Sequence, residues 1–296
     1  MPLHEEQRVL PLWDHITELS RRLRIWITAF IAATIFFLLA PADATFLSNP
    51  LGLYKPFVAY VLQAIRNHVL PSNVQLIAGS FTAPIMLYFV ASAVFGFIVT
   101  VPLLAFEVYE FVNPALTKNE RKSASPFVLG FSSLFLIGAL FGFFILTPLV
   151  VWSSLFFFSF TGAASLIRID DFYNLVFFTT VASGLAFTLP VLLVLLVKLN
   201  IVSTRLFTKN RIFLYIAVYI LTGFVTPDGN PVSDILLFIP IAVLLETALL
   251  VARRYDNQRD QAELNAPEID FLRCASCNGP IDAGGVFCGR CGRSRL

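Results

Sequence analysis

Charged residues are scarce in this chain of 296 residues, and their scarcity limits the kind of protein it can be. They make up 14% of the sequence, whereas hydrophobic residues make up 57% and include 31 Phe. Typical soluble proteins have about a quarter charged residues, and the mean hydropathy here is +0.78. Most of the chain must therefore be solvated by lipid. This excludes a soluble enzyme, a nucleic-acid-binding domain or a disordered protein as a description of the whole chain.

Histidine and cysteine are also rare, which limits the available chemistry. The three histidines are His4, His15 and His68, and all four cysteines lie near the C-terminus. The sequence has neither a metalloprotease helix motif nor a glycine-rich nucleotide-binding loop. We therefore expect no catalytic site, and the reading as an intramembrane protease is disfavoured.

Long apolar runs dominate the remaining sequence. A helix needs about 20 apolar residues to cross the hydrocarbon core, and a helix satisfies its own backbone there. The sequence predicts an all-α polytopic membrane protein with six transmembrane helices, of which the fifth is too short to cross completely. Their predicted ranges are 25–40, 81–112, 127–158, 172–197, 212–225 and 235–252.

The distribution of Lys and Arg predicts the orientation. Lys55, Arg66 and Arg168 are the basic residues of the three loops on one side, and all others lie on the opposite side. Positive charge is retained in the cytoplasm, so both termini are expected to be cytoplasmic. An alternative is signal-peptide cleavage near Ala42-Asp43-Ala44, but removal of the first span would spoil this alternation.

Carboxylates occur at defined places along the predicted cytoplasmic surface and within the spans. Glu18 lies in an amphipathic stretch, residues 12–23, and Glu120 lies in the loop after the second span. These residues can be receptor groups, or simply balance neighbouring arginines. Glu107, Asp234 and Glu246 fall inside spans, where an ionisable group is costly and therefore suggests function. Glu246 could instead reach the membrane interface.

The C-terminal tail predicts a separate module. We expect a membrane domain over 1–252, a polar linker over 253–273 and a zinc-ribbon-like module over 274–296. Two Cys-x-x-Cys pairs suit a closed tetrahedral site with a structural zinc ion. Two disulfides are the alternative, but the tail is expected in the reducing cytoplasm. The predicted zinc ligands are Cys274, Cys277, Cys288 and Cys291.

Four motifs in order give the sequence a recognisable pattern. The stretch His15–Leu23 largely matches His-Leu-x-Glu-Leu-Arg-x-Arg-Leu, and Gly184–Phe187 followed by Pro190 matches a fourth-span motif. Thr226-Pro227-Asp228 closes the fifth span. The first-loop pattern Phe-x-x-Pro-x-Leu-x-x-x-Glu-Arg is matched by Phe111, Pro114, Leu116, Glu120 and Arg121. In these features the chain resembles the TatC family, the multi-spanning component of the twin-arginine protein translocase.

The resemblance implies a receptor for twin-arginine signal peptides that exports folded proteins with energy from the proton gradient. It also implies assembly with single-span TatA/TatB-type partners into homo- and hetero-oligomers within membrane lipid. The expected signal-peptide site comprises Glu18, Phe111, Leu116, Glu120 and Arg121. The expected intramembrane polar and partner-docking residues are Glu107, Thr226, Asp228, Ser233, Asp234 and Glu246.

Three positions depart from the family pattern. Ser20 stands where the family usually has Arg, and Thr188 where many members have Glu. Glu107 stands where an uncharged residue is more common. A different class of function is a proton-coupled small-solute transporter that uses Glu107 and Glu246 as a relay. Such transporters often show two related halves, and this sequence shows no internal repeat.

Overall fold

The computed structural model describes most of the chain. The described residues are 12–42, 56–72, 74–112, 124–161, 166–198, 202, 204–226, 231–264, 272–273, 280–281 and 291. The chain divides into two compact units, Met1–Ala252 and Arg253–Leu296.

Helices form nearly all of the described structure. Their bounds are α1 Leu12–Leu39, α2 Phe57–Val69, α3 Ala83–Val112, α4 Ala124–Phe141, α5 Thr147–Thr161, α6 Ile169–Lys198, α7 Thr204–Lys209, α8 Arg211–Val225 and α9 Pro231–Leu264. The short strands are β1 Gln75–Ile77, β2 Leu166–Arg168, β3 Leu272–Arg273 and β4 Pro280–Ile281. β1 pairs with β2 in parallel, and β3 pairs with β4 antiparallel.

Among the described residues, five helical segments are long and apolar enough to cross a membrane. They lie in α1, α3, the α4–α5 pair, α6 and α9. The fifth predicted span corresponds to α8, whose 15 residues extend over about 22 Å, less than the roughly 30 Å core. The prediction of a multi-pass helical membrane protein is therefore confirmed. The prediction of six transmembrane helices is not confirmed, and α8 is short, as predicted for the fifth segment.

Two helices extend beyond their predicted limits. α1 begins at Leu12, so the amphipathic stretch and the first span form one continuous helix. No Gly or Pro interrupts this stretch, and Arg22 donates to Glu18 one turn earlier, which supports helix across the junction. α9 continues to Leu264, so the first part of the predicted linker 253–273 is helical.

The third predicted span is divided by a π-helical turn, Gly142–Leu146, between α4 and α5. Pro148 follows this turn; proline has no N–H to donate and its ring crowds the carbonyl four residues earlier. The backbone N–H and the hydroxyl of Thr147 both donate to the Gly142 carbonyl, the hydroxyl at 2.8 Å. A π-helical turn contains one residue more than an α-helical turn. The Gly142 carbonyl of this turn nevertheless accepts hydrogen bonds in its apolar setting.

α6 contributes to all three apolar cores of the membrane unit, to the third one through Val191 and Leu192. One core joins it to α5, α8 and α9 around Phe187 and Leu237, and another joins it to α2, α3 and α5 around Val176. The third core lies between α3 and α4 around Phe135. This central position explains why α6 is apolar on most of its faces.

Glycines set the distance between α4 and α6. A Cβ on Gly138 would lie 2.6 Å from the Phe187 Cβ, and one on Gly142 would lie 2.8 Å from the Ser183 Cβ. Ser183 also donates to the Gly138 carbonyl at 2.9 Å. Gly130 has no heavy atom within 4 Å of such a Cβ. Close packing is therefore a property of Gly138 and Gly142.

Some short elements were not predicted from the sequence. α2 buries Val58, Leu62, Ile65 and Val69, which recur at helical spacing. The Tyr173 hydroxyl of α6 donates to the Leu62 carbonyl at 2.8 Å and fixes α2 against the bundle. The β1–β2 pair joins segments far apart in sequence, with Leu76 opposite Ile167.

In the C-terminal unit, β3 and β4 pair with Leu272 opposite Ile281. The segment 274–279, which carries Cys274 and Cys277, connects these two strands. Cys274, Cys277 and Cys288 lie outside the described residues, and Cys291 is exposed. The predicted zinc ligation therefore remains a prediction.

The glycine packing gives a direct stability test. Gly138→Ala should lower stability by about 1–3 kcal/mol, because the new methyl group overlaps Phe187 and the helices must separate. Gly130→Ala is the matched control: it should be neutral or slightly stabilising, because Ala favours helix and the site is open. Thermal unfolding of both variants in detergent measures the difference. Equal unfolding temperatures would contradict the close-packing role.

Candidate functional site

Four charged side chains meet where the beginning of α1 lies against the end of α3. We call them the Arg22 cluster: Glu18 and Arg22 from α1, with Glu107 and Glu110 from α3. Glu18 and Arg22 are one helical turn apart, as are Glu107 and Glu110, so each helix presents its pair on one face. The contact between the two helices therefore collects three carboxylates around one guanidinium.

The three contacts of Arg22 differ in length. Its Nη2 and Nε atoms lie 2.8 Å and 3.2 Å from Glu18 Oε1, within hydrogen-bonding range. The distance from Nη1 to Glu107 Oε2 is 3.5 Å, and that from Nη2 to Glu110 Oε2 is 3.9 Å. Arg22 is thus hydrogen-bonded within its own helix and held more loosely by the carboxylates of α3.

Burial strengthens the electrostatic interactions among these side chains. Glu107 is 8% exposed, and Arg22 and Glu18 are partly buried. Charges removed from water interact through a lower effective dielectric, so an unpaired one would be costly. Phe111, the residue after Glu110, is partly buried and belongs to the same end of α3. The cluster is therefore an acidic site beside an apolar surface.

Aromatic packing and one close approach hold α1 against α3 below the cluster. Trp26 and Phe30 pack edge-on against Phe97, with ring centroids 6.1 Å and 6.4 Å apart. A Cβ on Gly96 would lie 2.7 Å from Thr34 Oγ1 and 2.9 Å from the Thr34 backbone nitrogen. These contacts fix the position of α1 along α3, so that Arg22 lies beside the carboxylates of α3.

The structure brings together some of the predicted site residues. Glu18 lies in the Arg22 cluster, and Phe111 follows it on α3. Glu107, expected as an intramembrane polar or partner-docking residue, joins Glu18 through Arg22. Leu116, Glu120 and Arg121 lie outside the described residues. Sequence reasoning missed Glu110, although its position three residues after Glu107 predicts a shared helix face.

A second group of polar side chains connects α8 with α9. The Tyr215 hydroxyl donates to Glu246, and Arg211 Nη1 lies 3.6 Å from the same carboxylate oxygen. Glu246 is therefore paired within the chain and lies near the end of α8 that carries Arg211.

A third pair lies at the opposite end of α8. Thr226 is buried and donates to Asp234 of α9, and its hydroxyl also lies 3.1 Å from the Thr222 carbonyl. Ser233 is fully buried, and Asp228 lies outside the described residues. Thr226 and Asp234 are thus hydrogen-bonded to each other within the chain, and their role in partner docking stays a prediction.

Thr188 occupies the position in the fourth span where many family members have Glu, and its hydroxyl hydrogen-bonds within its own helix. It is 2% exposed, and its hydroxyl donates to the Leu185 carbonyl of its own helix at 2.7 Å. The Thr188 hydroxyl therefore has its hydrogen-bond acceptor within α6.

Comparison with known proteins identifies the class to which this multi-pass membrane protein belongs. The family model "Sec-independent protein translocase protein (TatC)" matches residues 14–240. This match covers most of the chain. The chain belongs to the TatC family.

Two curated relatives align with this chain over most of their length. The chain is 27% identical to TatCy of Bacillus subtilis over 244 residues, 82% of this chain and 89% of that protein. It is 28% identical to TatC of Aquifex aeolicus over 248 residues, 82% of this chain and 95% of that protein. The alignment with TatC of Carboxydothermus hydrogenoformans is 37% identical but spans only 70 residues, 24% of this chain and 29% of that protein.

Solved structures show the same fold. Two crystal structures of the twin-arginine translocase receptor TatC, one of them in DDM, match with TM-scores of 0.65 and 0.66. Both are 26% identical to this chain and are covered to 99% of their length, against 82% and 80% of this chain. The membrane unit is thus similar to that receptor.

The pairing between α8 and α9 predicts different effects for two tyrosines of one helix. Tyr215→Phe should destabilise the protein by about 1 kcal/mol, because it removes the hydroxyl that donates to Glu246. Tyr219→Phe is the control, since both rings pack edge-on against Phe238. Thermal unfolding in detergent distinguishes them, and equal effects of the two substitutions would contradict the assigned role of the Tyr215 hydroxyl.

Proposed function

We infer that this protein is the signal-peptide receptor and core subunit of a twin-arginine translocase. In this role it exports folded proteins across the cell membrane with energy from the proton gradient. The observation that carries the proposal is the Arg22 cluster, in which three carboxylates lie at the end of an apolar bundle. Family membership supports the same function.

The chemistry of the cluster suits the expected ligand. A guanidinium remains charged at all physiological pH values and donates two parallel hydrogen bonds to one carboxylate. Two adjacent arginines therefore require more than one carboxylate, in a setting where water does not weaken the contact. Glu18 provides one such carboxylate in the cluster, and Glu120 is the second one expected from the sequence. Phe111 supplies a neighbouring apolar surface for the side chains that flank the arginines.

The orientation supports this assignment. The positive-inside pattern predicts that the N-terminus and the loop after α3 are cytoplasmic, which is where a signal peptide arrives before export. α1 begins and α3 ends beside the cluster.

Single-span TatA/TatB-type subunits are the proposed partners. The support is family membership together with the apolar side chains that α8 presents outward: Ile212, Phe213 and Phe224 are each more than 70% exposed. Such side chains face lipid or another helix. α8 is too short to cross alone, which favours a neighbouring helix at this place.

A structural zinc ion is the proposed cofactor of the C-terminal tail. The paired strands β3 and β4 precede and follow the segment with Cys274 and Cys277 in the sequence, and two Cys-x-x-Cys pairs suit a closed tetrahedral zinc site. Cys288 and Cys291 supply the second pair. In so short a segment, metal binding supplies much of the folding free energy.

The transporter alternative receives no support from the geometry. Glu107 pairs with Arg22, whereas Glu246 pairs with Tyr215 and Arg211. The two carboxylates thus belong to separate groups of side chains and do not form a relay.

The receptor function predicts the effect of removing single carboxylates. Glu18→Gln and Glu120→Gln should each weaken binding of a twin-arginine signal peptide about fivefold or more, because a charge-assisted hydrogen bond is lost. A twin-lysine peptide should bind poorly to the unmodified protein. Fluorescence anisotropy with labelled peptide measures both affinities.

Asp171→Asn is the control for these variants, because that carboxylate is exposed and pairs with Arg168 at another part of the chain. It should leave peptide affinity unchanged. Normal peptide binding and normal export by both glutamate variants would remove these residues from the receptor site.

The tail predicts metal content. The full-length protein, purified under reducing conditions, should hold about one zinc ion per chain. Substitution of all four cysteines by serine should abolish it while leaving signal-peptide affinity unchanged. Elemental analysis checks this, and either absence of zinc or two disulfides in protein isolated anaerobically would overturn the ribbon and the cytoplasmic location of the tail.

A further inference from the structure

The Arg22 cluster already contains a guanidinium, the group that the proposed ligand would bring. Arg22 keeps two short contacts with Glu18, whereas its Nη1 atom stays 3.5 Å from Glu107. Among the side chains that the structure describes, this long ion pair is the contact found for the Glu107 carboxylate. Glu107 is buried, with only 8% of its surface exposed. It therefore lies away from water and yet receives no short hydrogen bond from Arg22.

We propose that Arg22 is an internal competitor of the signal peptide, and that binding transfers Glu107 from Arg22 to a peptide arginine. The proposal rests on the receptor function proposed above and adds a role for two residues. Arg22 occupies the carboxylates of α3 while no signal is bound. Glu107 becomes a contact residue that helps to distinguish arginine from lysine.

The geometry makes this exchange inexpensive for Arg22. It shares one helix with Glu18 at a spacing of four residues and contacts only the Oε1 atom of that carboxylate. It therefore retains this contact when it leaves α3, and the Oε2 atom of Glu18 accepts from the peptide. A peptide guanidinium that reaches Glu107 can donate two short parallel hydrogen bonds, which Arg22 does not achieve at 3.5 Å. A lysine ammonium is a point charge without this forked geometry, and it displaces Arg22 with less gain.

A purely structural role for Arg22 predicts the opposite sign. If Arg22 serves only to hold Glu18 and Glu107 in place for the peptide, its removal weakens binding. If Arg22 competes, its removal strengthens binding, because the peptide no longer displaces a cation. The sign of one affinity change therefore separates the two roles.

The test is a double-mutant cycle on full-length protein in detergent, with a synthetic twin-arginine signal peptide as the probe. Arg22→Gln should tighten binding about fivefold, and Glu107→Gln should weaken it about threefold. In the Arg22→Gln background, Glu107→Gln should weaken binding about tenfold, because the peptide there has Glu107 to itself. This dependence on background is the signature of competition.

Arg24→Gln is the matched control. It removes the same charge from the same helix at an exposed position, and affinity should change by less than about twofold, since exposed charges are well screened. A twin-lysine peptide provides the second control, because its weak binding should be insensitive to Glu107→Gln. Gel filtration and thermal unfolding establish that each variant is folded.

Weaker or unchanged binding by folded Arg22→Gln overturns the competition while leaving the receptor function intact. If Arg22→Gln does not fold, Glu107→Gln decides: selective loss of twin-arginine affinity supports the proposal, and unchanged affinity overturns it. Failure of the twin-arginine peptide to bind the folded parent protein is a different result, because it contradicts the receptor function itself.

Discussion

The ion pairs of Arg22 across the α1–α3 contact are the interaction on which the site depends. α1 exposes much of its apolar surface, including Ile27, Ile31 and Ile35 at helical spacing, so its contacts with α3 must fix its position. Close approach at Gly96 and the aromatic contacts of Phe97 set the separation of the helices. Charges at the end of that interface then meet at distances that a guanidinium can bridge.

The rest of the bundle keeps α3 where this contact requires it. Phe135 of α4 is fully buried in the core that α3 and α4 share, and α4 in turn approaches α6 closely at Gly138. The π-helical turn Gly142–Leu146 lets the chain pass Pro148 without losing this packing. The position of the Arg22 cluster thus depends on glycines that allow neighbouring helices to approach closely.

Hydrophobic run length predicted the long helices well, because the bilayer imposes a minimum length on a helix that crosses it. It did not predict α2 or the β1–β2 pair, since short elements depend on partners distant in sequence, such as Tyr173 with Leu62. Family motifs predicted Glu18 and Phe111 as site residues, and the structure shows only that Glu18 lies in the Arg22 cluster and Phe111 at the same end of α3. Glu110 was missed, and the ion pair that joins Glu107 to α1 was not predicted, because the partner of both carboxylates is an arginine on another helix.

The most direct measurement for this account is a structure of the full-length protein with a bound twin-arginine signal peptide. The account predicts a peptide guanidinium within hydrogen-bonding distance of Glu18 or Glu107. It also predicts that the Arg22 Nη1 atom lies farther from Glu107 than the 3.5 Å found without peptide. A peptide whose arginines lie away from the Arg22 cluster, with the contacts of Arg22 unchanged, would contradict it.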